Sequence, residues 1–138
     1  MKQELIFQPV CAMVLLTAAV LLRLFLGRVA AVRAGVKLSY FRIYQGDDPT
    51  PPRVAAAARH FTNLFELPVL FYVLCLALYA TRSVDATFLA LAWAFVAGRF
   101  LHSAIHLTYN DVNHRLVAYL LGAALLFAAW IRFFLALP

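Results

Sequence analysis

Charge is the scarcest property of this chain. Of its 138 residues only 13% are Asp, Glu, Lys or Arg, whereas 65% are hydrophobic, and the mean hydropathy is +0.85. A water-soluble domain of this length needs far more polar surface to cover its core. Soluble globular classes are therefore excluded, and the chain reads as an integral membrane protein in contact with a lipid bilayer. Cysteine is nearly absent: Cys11 and Cys75 lie far apart in apolar runs, with no CxxC spacing. That excludes a disulfide framework and leaves both as packing residues. Acidic residues are few, so the net charge is +6, but the basic residues are spread along the chain and imply no nucleic-acid partner. A glycine-rich phosphate loop, a GxSxG elbow and an HExxH helix are all missing, so the chemistries built on them have no footing here. Nothing marks a second domain, an internal repeat or a low-complexity segment.

What is present is length in apolar runs. Four stretches, at about residues 6–27, 55–79, 86–107 and 116–137, approach the roughly 20 residues that cross a hydrocarbon core about 30 Å thick. The first follows Lys2 like a signal peptide. Its apolar part is too long for one, however, and Arg23 and Arg28 stand where a cleavage site belongs, so it reads as a retained span. The stretch "YQGDDPTPPR" (44–53) combines Gly, Asp and three prolines and reads as a loop, with Pro51 and Pro52 placed at a helix start. "RSVD" (82–85) reads as a tight turn. "TYNDVN" (108–113) is a polar break in which Asn113 is a candidate cap for the last helix. Connections this short make consecutive helices antiparallel neighbours. The expected fold is all-α: one four-span membrane domain over residues 1–138, an up-down four-helix bundle.

Arg28, Arg33, Lys37, Arg42 and Arg53 cluster between the first two spans against Asp47 and Asp48, while the connection around Arg82 and Asp85 is neutral. The positive-inside bias places the first connection in the cytoplasm and both termini on the non-cytoplasmic side. The basic cluster reads first as topology and headgroup contact.

The polar residues inside the spans carry the functional signal. In "ARHFTNLFELP" (58–68), Arg59, Asn63 and Glu66 are spaced i, i+4, i+7 along one helical face; Arg99, His102 and His106 repeat the device on the third span at i, i+3, i+7. Ionisable residues within a bilayer are costly and normally face protein or a wet cavity. At 1.5 Å per residue, Glu66 lies roughly 16 Å and Arg99 roughly 12 Å from the same surface. The matched depth predicts a structural ion pair between Glu66 and Arg99, with Asn63 near His102 and Arg59 near the mouth. Two readings stay open: polar clamps between helices, or a bound anionic ligand drawn by the cations Arg59 and Arg115 at one mouth. His102 and His106, an i, i+4 pair, could hold a metal or haem, but no third ligand is evident and no metal is assigned. His60 and His114 read as interfacial, and Arg23 as snorkelling or facing the bundle. Trp93, Trp130, Phe133 and Phe134 read as packing or interface belts.

Together these residues resemble a family. "RHFTNLFELP" resembles the Arg-x3-Asn-x2-Glu signature, with its following proline, of the MAPEG superfamily (membrane-associated proteins in eicosanoid and glutathione metabolism). "GRFLHSAIHL" (98–107) resembles that family's third-helix segment and "HRLVAY" (114–119) the start of its fourth. The spacings of Arg99, His102, Arg115 and Tyr119 are similar to those of microsomal prostaglandin E synthase, and the resemblance covers nearly the whole chain, as a bacterial-type member close to the microsomal glutathione transferases.

The resemblance implies a homotrimer in the inner (cytoplasmic) membrane of a bacterium, binding glutathione as co-substrate between protomers near the cytoplasmic side. It implies a transferase or peroxidase acting on small lipophilic electrophiles. By position, Arg59, Asn63, Glu66, His102, His106 and Tyr119 match pocket or motif positions, and Arg33 corresponds loosely, within "VRAGVK", to a basic first-helix contact. Arg115 matches the arginine that activates the thiol. A cation at a helix N-terminus lowers a thiol pKa from its free value of about 8.5. Three departures stand out: His106 occupies a position where the eicosanoid enzymes carry tyrosine, Thr62 replaces a basic residue of some members, and Asp111 adds negative charge nearby. The alternative function is a non-catalytic subunit or scaffold that keeps the same clamps and associates with a larger membrane complex.

Overall fold

The computed structural model describes residues 1–38, 41 and 51–137, and it is all-helical over them. The loop expected at 44–53 falls largely outside the described residues, as do Arg42, Asp47 and Asp48. A short 3-10 turn (Gln3–Ile6) leads into α1 (Phe7–Arg33); α2 (Pro52–Asn63) and α3 (Leu67–Ala80) follow, then α4 (Ala86–Leu107) and α5 (Val112–Ala136). The four units Gln3–Arg33, Pro52–Ala80, Ala86–Leu107 and Val112–Ala136 are long and apolar enough to cross a membrane. Within each helix the backbone groups away from the ends pair with one another, as hydrocarbon requires. Thr17, Thr62, Thr81 and Thr108 turn their hydroxyls back onto carbonyls four residues earlier, so these polar groups are satisfied too.

The first helix runs further than its apolar run does, whereas the third span keeps the expected bounds, Ala86–Leu107. The first unit spans 31 residues, or roughly 46 Å of rise at most, against a core about 30 Å thick. Arg28 and Arg33 are good helix formers, so the helix continues past the greasy stretch.

The second span differs more. It is expected as one helix over 55–79 but is broken at Leu64–Glu66, where Glu66 adopts φ −95°, ψ −101° ahead of α3. Pro68, at the start of α3, is the cause: it has no N–H for the carbonyl of Leu64, and its ring would clash there.

Apolar packing joins the halves. Met13, Leu16 and Val20 of α1 meet Leu67, Phe71, Leu74 and Leu78 of α3, Phe88, Phe95 and Val96 of α4, and Leu126 and Phe133 of α5. Phe71 stacks on Phe95 with centroids 4.8 Å apart. The outward faces, including Leu15, Leu22, Phe25, Leu121 and Leu135, are exposed and apolar, as a lipid-facing surface must be. Helices α4 and α5 make the most extensive pair, passing over each other at Gly98 and Gly122.

Two polar devices tie the end that carries the N-terminus. Gln3 donates through Nε2 to the carbonyl of Val84 and accepts from its N–H, at 3.2 and 2.9 Å. Asp85 caps α4 by accepting from the Phe88 N–H at 2.8 Å. It also takes both terminal nitrogens of Arg132, at 2.9 and 2.6 Å, while that guanidinium lies 4.2 Å over the Phe88 ring. The fork of donors from Arg132 holds the Asp85 carboxyl down at about 2, from an ordinary 3.8.

A carboxyl depressed in the folded state stabilises the fold above its unfolded value and loses that contribution as pH falls towards its folded one. Stability of the solubilised protein should therefore fall between about pH 4 and about 2 in step with Asp85 protonation. Arg132→Gln should remove this acid-limb component, which thermal melts across that window would show.

Candidate functional site

The break in the second span shapes the site. Where α2 stops, the carbonyl of Asn63 has only a long 3.4 Å bond from the Glu66 N–H and is left facing α4. Arg99 Nη2 donates to that carbonyl at 3.3 Å and to Asn63 Oδ1 at 2.5 Å. Asn63 Nδ2 in turn donates to Glu66 Oε2 at 2.7 Å. The orientation of the Asn63 amide is forced, because a guanidinium only donates and an ionised carboxylate only accepts.

The expected direct ion pair between Glu66 and Arg99 is corrected accordingly. Neither residue takes part in a direct salt bridge among the described residues, and Asn63 bridges them. The two charges do share a level, but the break carries Asn63 between them, and its two-ended amide serves both. Asn63, expected near His102, lines the same groove as that residue and is hydrogen-bonded to Arg99. Arg99 itself is 1% exposed, and its Cζ lies 5.9 Å from the centre of the Tyr119 ring, a contact that gives the cation an electron-rich face.

His60 also lies beside His102, and it is buried rather than interfacial. It lies one turn before the break and faces α4. Its Nε2 is 2.8 Å from Ser103 Oγ, and Ser103 donates to the Arg99 carbonyl at 2.7 Å. The His60 ring lies 5.4 Å from that of His102 and 4.9 Å from that of His106. Reading by stripes missed this: His60 adjoins Arg59 in sequence but points about 100° away around the helix, off the marked face. The available signal was Ser103 beside His102 on α4, a second polar residue for His60 to meet. Three imidazoles gather here, yet among the described residues no three His, Cys, Asp or Glu are arranged to hold a metal.

Arg115 stands in the first turn of α5. Its Nη1 donates to Asn110 Oδ1 at 2.8 Å and lies 3.3 Å from His106 Nε2. Asn110 has φ 51°, a left-handed conformation that asparagine tolerates. The cap of α5 is Asp111, which accepts from the His114 N–H at 2.9 Å, in place of the expected Asn113. The cap must sit one residue before the helix, and the helix begins at Val112. That backbone bond also draws the Asp111 carboxyl below the ordinary carboxylate range. Arg23 faces the bundle and donates to the Leu107 carbonyl at 2.8 Å, closing the end of α4. Of the cysteines, Cys75 is buried and Cys11 exposed.

These residues meet in one open groove of about 330 Å³, lined by Arg59, Asn63 and Glu66 from the second span, His102 and His106 from α4, and Val112, Arg115, Leu116 and Tyr119 from α5. Seven of the nine residues singled out from sequence therefore line one groove, and Arg99 lies buried behind it, bonded to Asn63. Arg33 stands apart: it lines a separate groove of about 480 Å³ with Phe25, Arg28, Val29, Val32, Leu38 and Phe41. Ala31 is the residue buried against α2, and two residues turn a helix by about 200°, which sends Arg33 to the outer face.

The family model for the MAPEG family matches residues 10–135. The chain belongs to the MAPEG family. No curated protein and no solved structure is significantly similar to it. MAPEG proteins are membrane bundles and include glutathione transferases and peroxidases as well as non-catalytic members.

In this MAPEG chain the Arg99–Asn63–Glu66 connection bridges α2 and α4, so its loss should be felt in stability. Asn63→Ala should cost about 1.5–3 kcal/mol, the range for a hydrogen bond to a charged group, because Arg99 would stay buried without its main acceptor. Glu66→Gln, which leaves an acceptor for Asn63 on an exposed side chain, should cost under about 1 kcal/mol. Equilibrium unfolding in mixed detergent micelles would rank the two.

Proposed function

We propose that this protein is a glutathione-dependent membrane transferase or peroxidase acting on lipophilic electrophiles, with Arg115 stabilising the thiolate. One observation carries this reading: Arg115, at a helix N-terminus, opens onto the same groove as Arg59, Asn63, Glu66, His102, His106 and Tyr119. A tripeptide with two carboxylates and one ammonium needs both cations and an anion, and this groove offers Arg59 and Arg115 alongside Glu66. The thiol would lie by Arg115, where side-chain charge and helix dipole both favour the anion. The electrophile would arrive from the bilayer past Val112 and Leu116. The groove end of the bundle faces the cytoplasm in this reading, since Arg28, Arg33, Lys37 and Arg53 flank it, and both termini lie on the opposite side. The assembly is a homotrimer in a bacterial inner membrane with sites between protomers, so that the basic face bearing Arg33 can meet a neighbour's groove.

A second reading has its own support. Asn63 links Arg99 to Glu66 by direct hydrogen bonds that need no ligand, as it would in a non-catalytic subunit of a larger membrane complex whose polar residues serve only as clamps.

Glutathione should raise the thermal midpoint of the purified protein, because a ligand that binds only the native state stabilises it. Arg115→Ala should then lower turnover of a chlorodinitrobenzene by about a hundredfold or more, equivalent to roughly 3–4 kcal/mol of lost anion stabilisation. Arg115→Lys should recover only part, since lysine keeps the charge without the planar fork. Unchanged activity per folded assembly in Arg115→Ala, or absence of any glutathione effect on the wild type, would favour the clamp reading.

A further inference from the structure

We infer that Asn110 is a positioning residue for Arg115: together with His106 it fixes the guanidinium at the groove and leaves its charge uncancelled. The role rests on the thiol-binding function proposed above, and it is exerted through Arg115 rather than on the thiol. Arg115 Nη1 lies 2.8 Å from Asn110 Oδ1 and 3.3 Å from His106 Nε2. A guanidinium carries only donors, so the two hydrogens of Nη1 can serve one acceptor each, the amide oxygen and the imidazole lone pair. Nε and Nη2 make no hydrogen bond among the described residues. Their N–H bonds remain for an anion bound in the groove that Arg115 lines.

Asn110 is itself held from both sides. Its N–H donates to the Ile105 carbonyl at 2.8 Å, which ties the residue to the end of α4. The next residue, Asp111, caps α5. Between the two, Asn110 takes the left-handed φ of 51°, which asparagine tolerates better than other residues with a side chain, apart from aspartate. The acceptor for Arg115 therefore sits on a short joint between the helices that carry His106 and Arg115.

The choice of acceptors matters as much as their placement. Arg115 is half-buried at the mouth, and a long side chain left unanchored there would extend into water or headgroups. A carboxylate would hold it as firmly but would neutralise it. Both anchors found here are uncharged, since an imidazole that accepts through Nε2 cannot be an imidazolium. The nearby carboxylates are engaged elsewhere: Asp111 accepts from the His114 N–H and Glu66 from Asn63. Arg115 forms no salt bridge among the described residues.

Kinetics with glutathione and a chlorodinitrobenzene test this. Asn110→Gly removes the acceptor and keeps the left-handed turn, so it should assemble and melt like the wild type. Its kcat should fall by about ten- to a hundredfold, the scale of a misplaced catalytic group, with little change in KM for glutathione. The ultraviolet thiolate band of the complex at fixed pH should shrink with it. In an Arg115→Ala background the same change should cost less than about twofold, because Asn110 acts only through that guanidinium. A residue that merely shapes the turn would multiply the two losses instead. Asn110→Asp keeps both acceptor and turn but sets a negative charge against Arg115, so its kcat profile should move to higher pH. Full activity in Asn110→Gly overturns the role, as do multiplied losses in the double variant or an unmoved profile in Asn110→Asp. If Asn110→Gly fails to assemble, the profile of Asn110→Asp decides. A wild type that glutathione does not stabilise overturns the thiol site and this role with it, a result distinct from glutathione binding that is indifferent to Asn110.

Discussion

The burial of one guanidinium organises this molecule. Arg99 sits within an apolar helix and is 1% exposed, and a charge in that position must find protein partners or leave the bundle. Its main acceptors, the carbonyl and side-chain oxygen of Asn63, come from a single residue. That carbonyl is open to Arg99 because the helix ends there. The proline at position 68 thus does more than bend a span: by ending α2 early it supplies the backbone acceptor that makes a buried arginine tolerable.

The groove follows from the same arrangement. With Asn63 drawn to Arg99, its amide nitrogen turns outward and fixes the Glu66 carboxylate at the groove wall. One turn earlier, His60 is pressed against Ser103 and the two histidines of α4. The polar interior is therefore layered: Arg99 with Asn63 deepest along the span, then the imidazoles, then Arg115 and Arg59 at the mouth. The far end of the bundle is closed by different means, the reciprocal Gln3–Val84 bonds and the Asp85–Arg132 pair.

Much of this was legible from residue order. Helical spacing put Arg59, Asn63 and Glu66 on one face and Arg99, His102 and His106 on another; all of them but the buried Arg99 line one groove. What spacing could not supply was the identity of contacts. Equal depth pointed to Glu66 against Arg99, yet an asparagine with two-ended hydrogen bonding came between them. His60 lies off the marked stripe, so spacing does not point to its place among the α4 histidines, and Arg132 carries no signal at all, since its partner Asp85 is 47 residues away. Asn113 looked like a cap until the start of α5 at Val112 gave that role to Asp111.

Residue order alone settles the class of this protein. Long apolar runs with few charges can satisfy their backbones in lipid only as helices, and the motif spacings carry the family. Packing in three dimensions decided the rest. Which nitrogen meets which oxygen depends on where a helix stops and how far its neighbour is rotated, and both are set by contacts between segments distant in the chain. So the break at Leu64–Glu66, the bridge through Asn63 and the imidazole cluster around His106 emerge only when the second span is laid against α4.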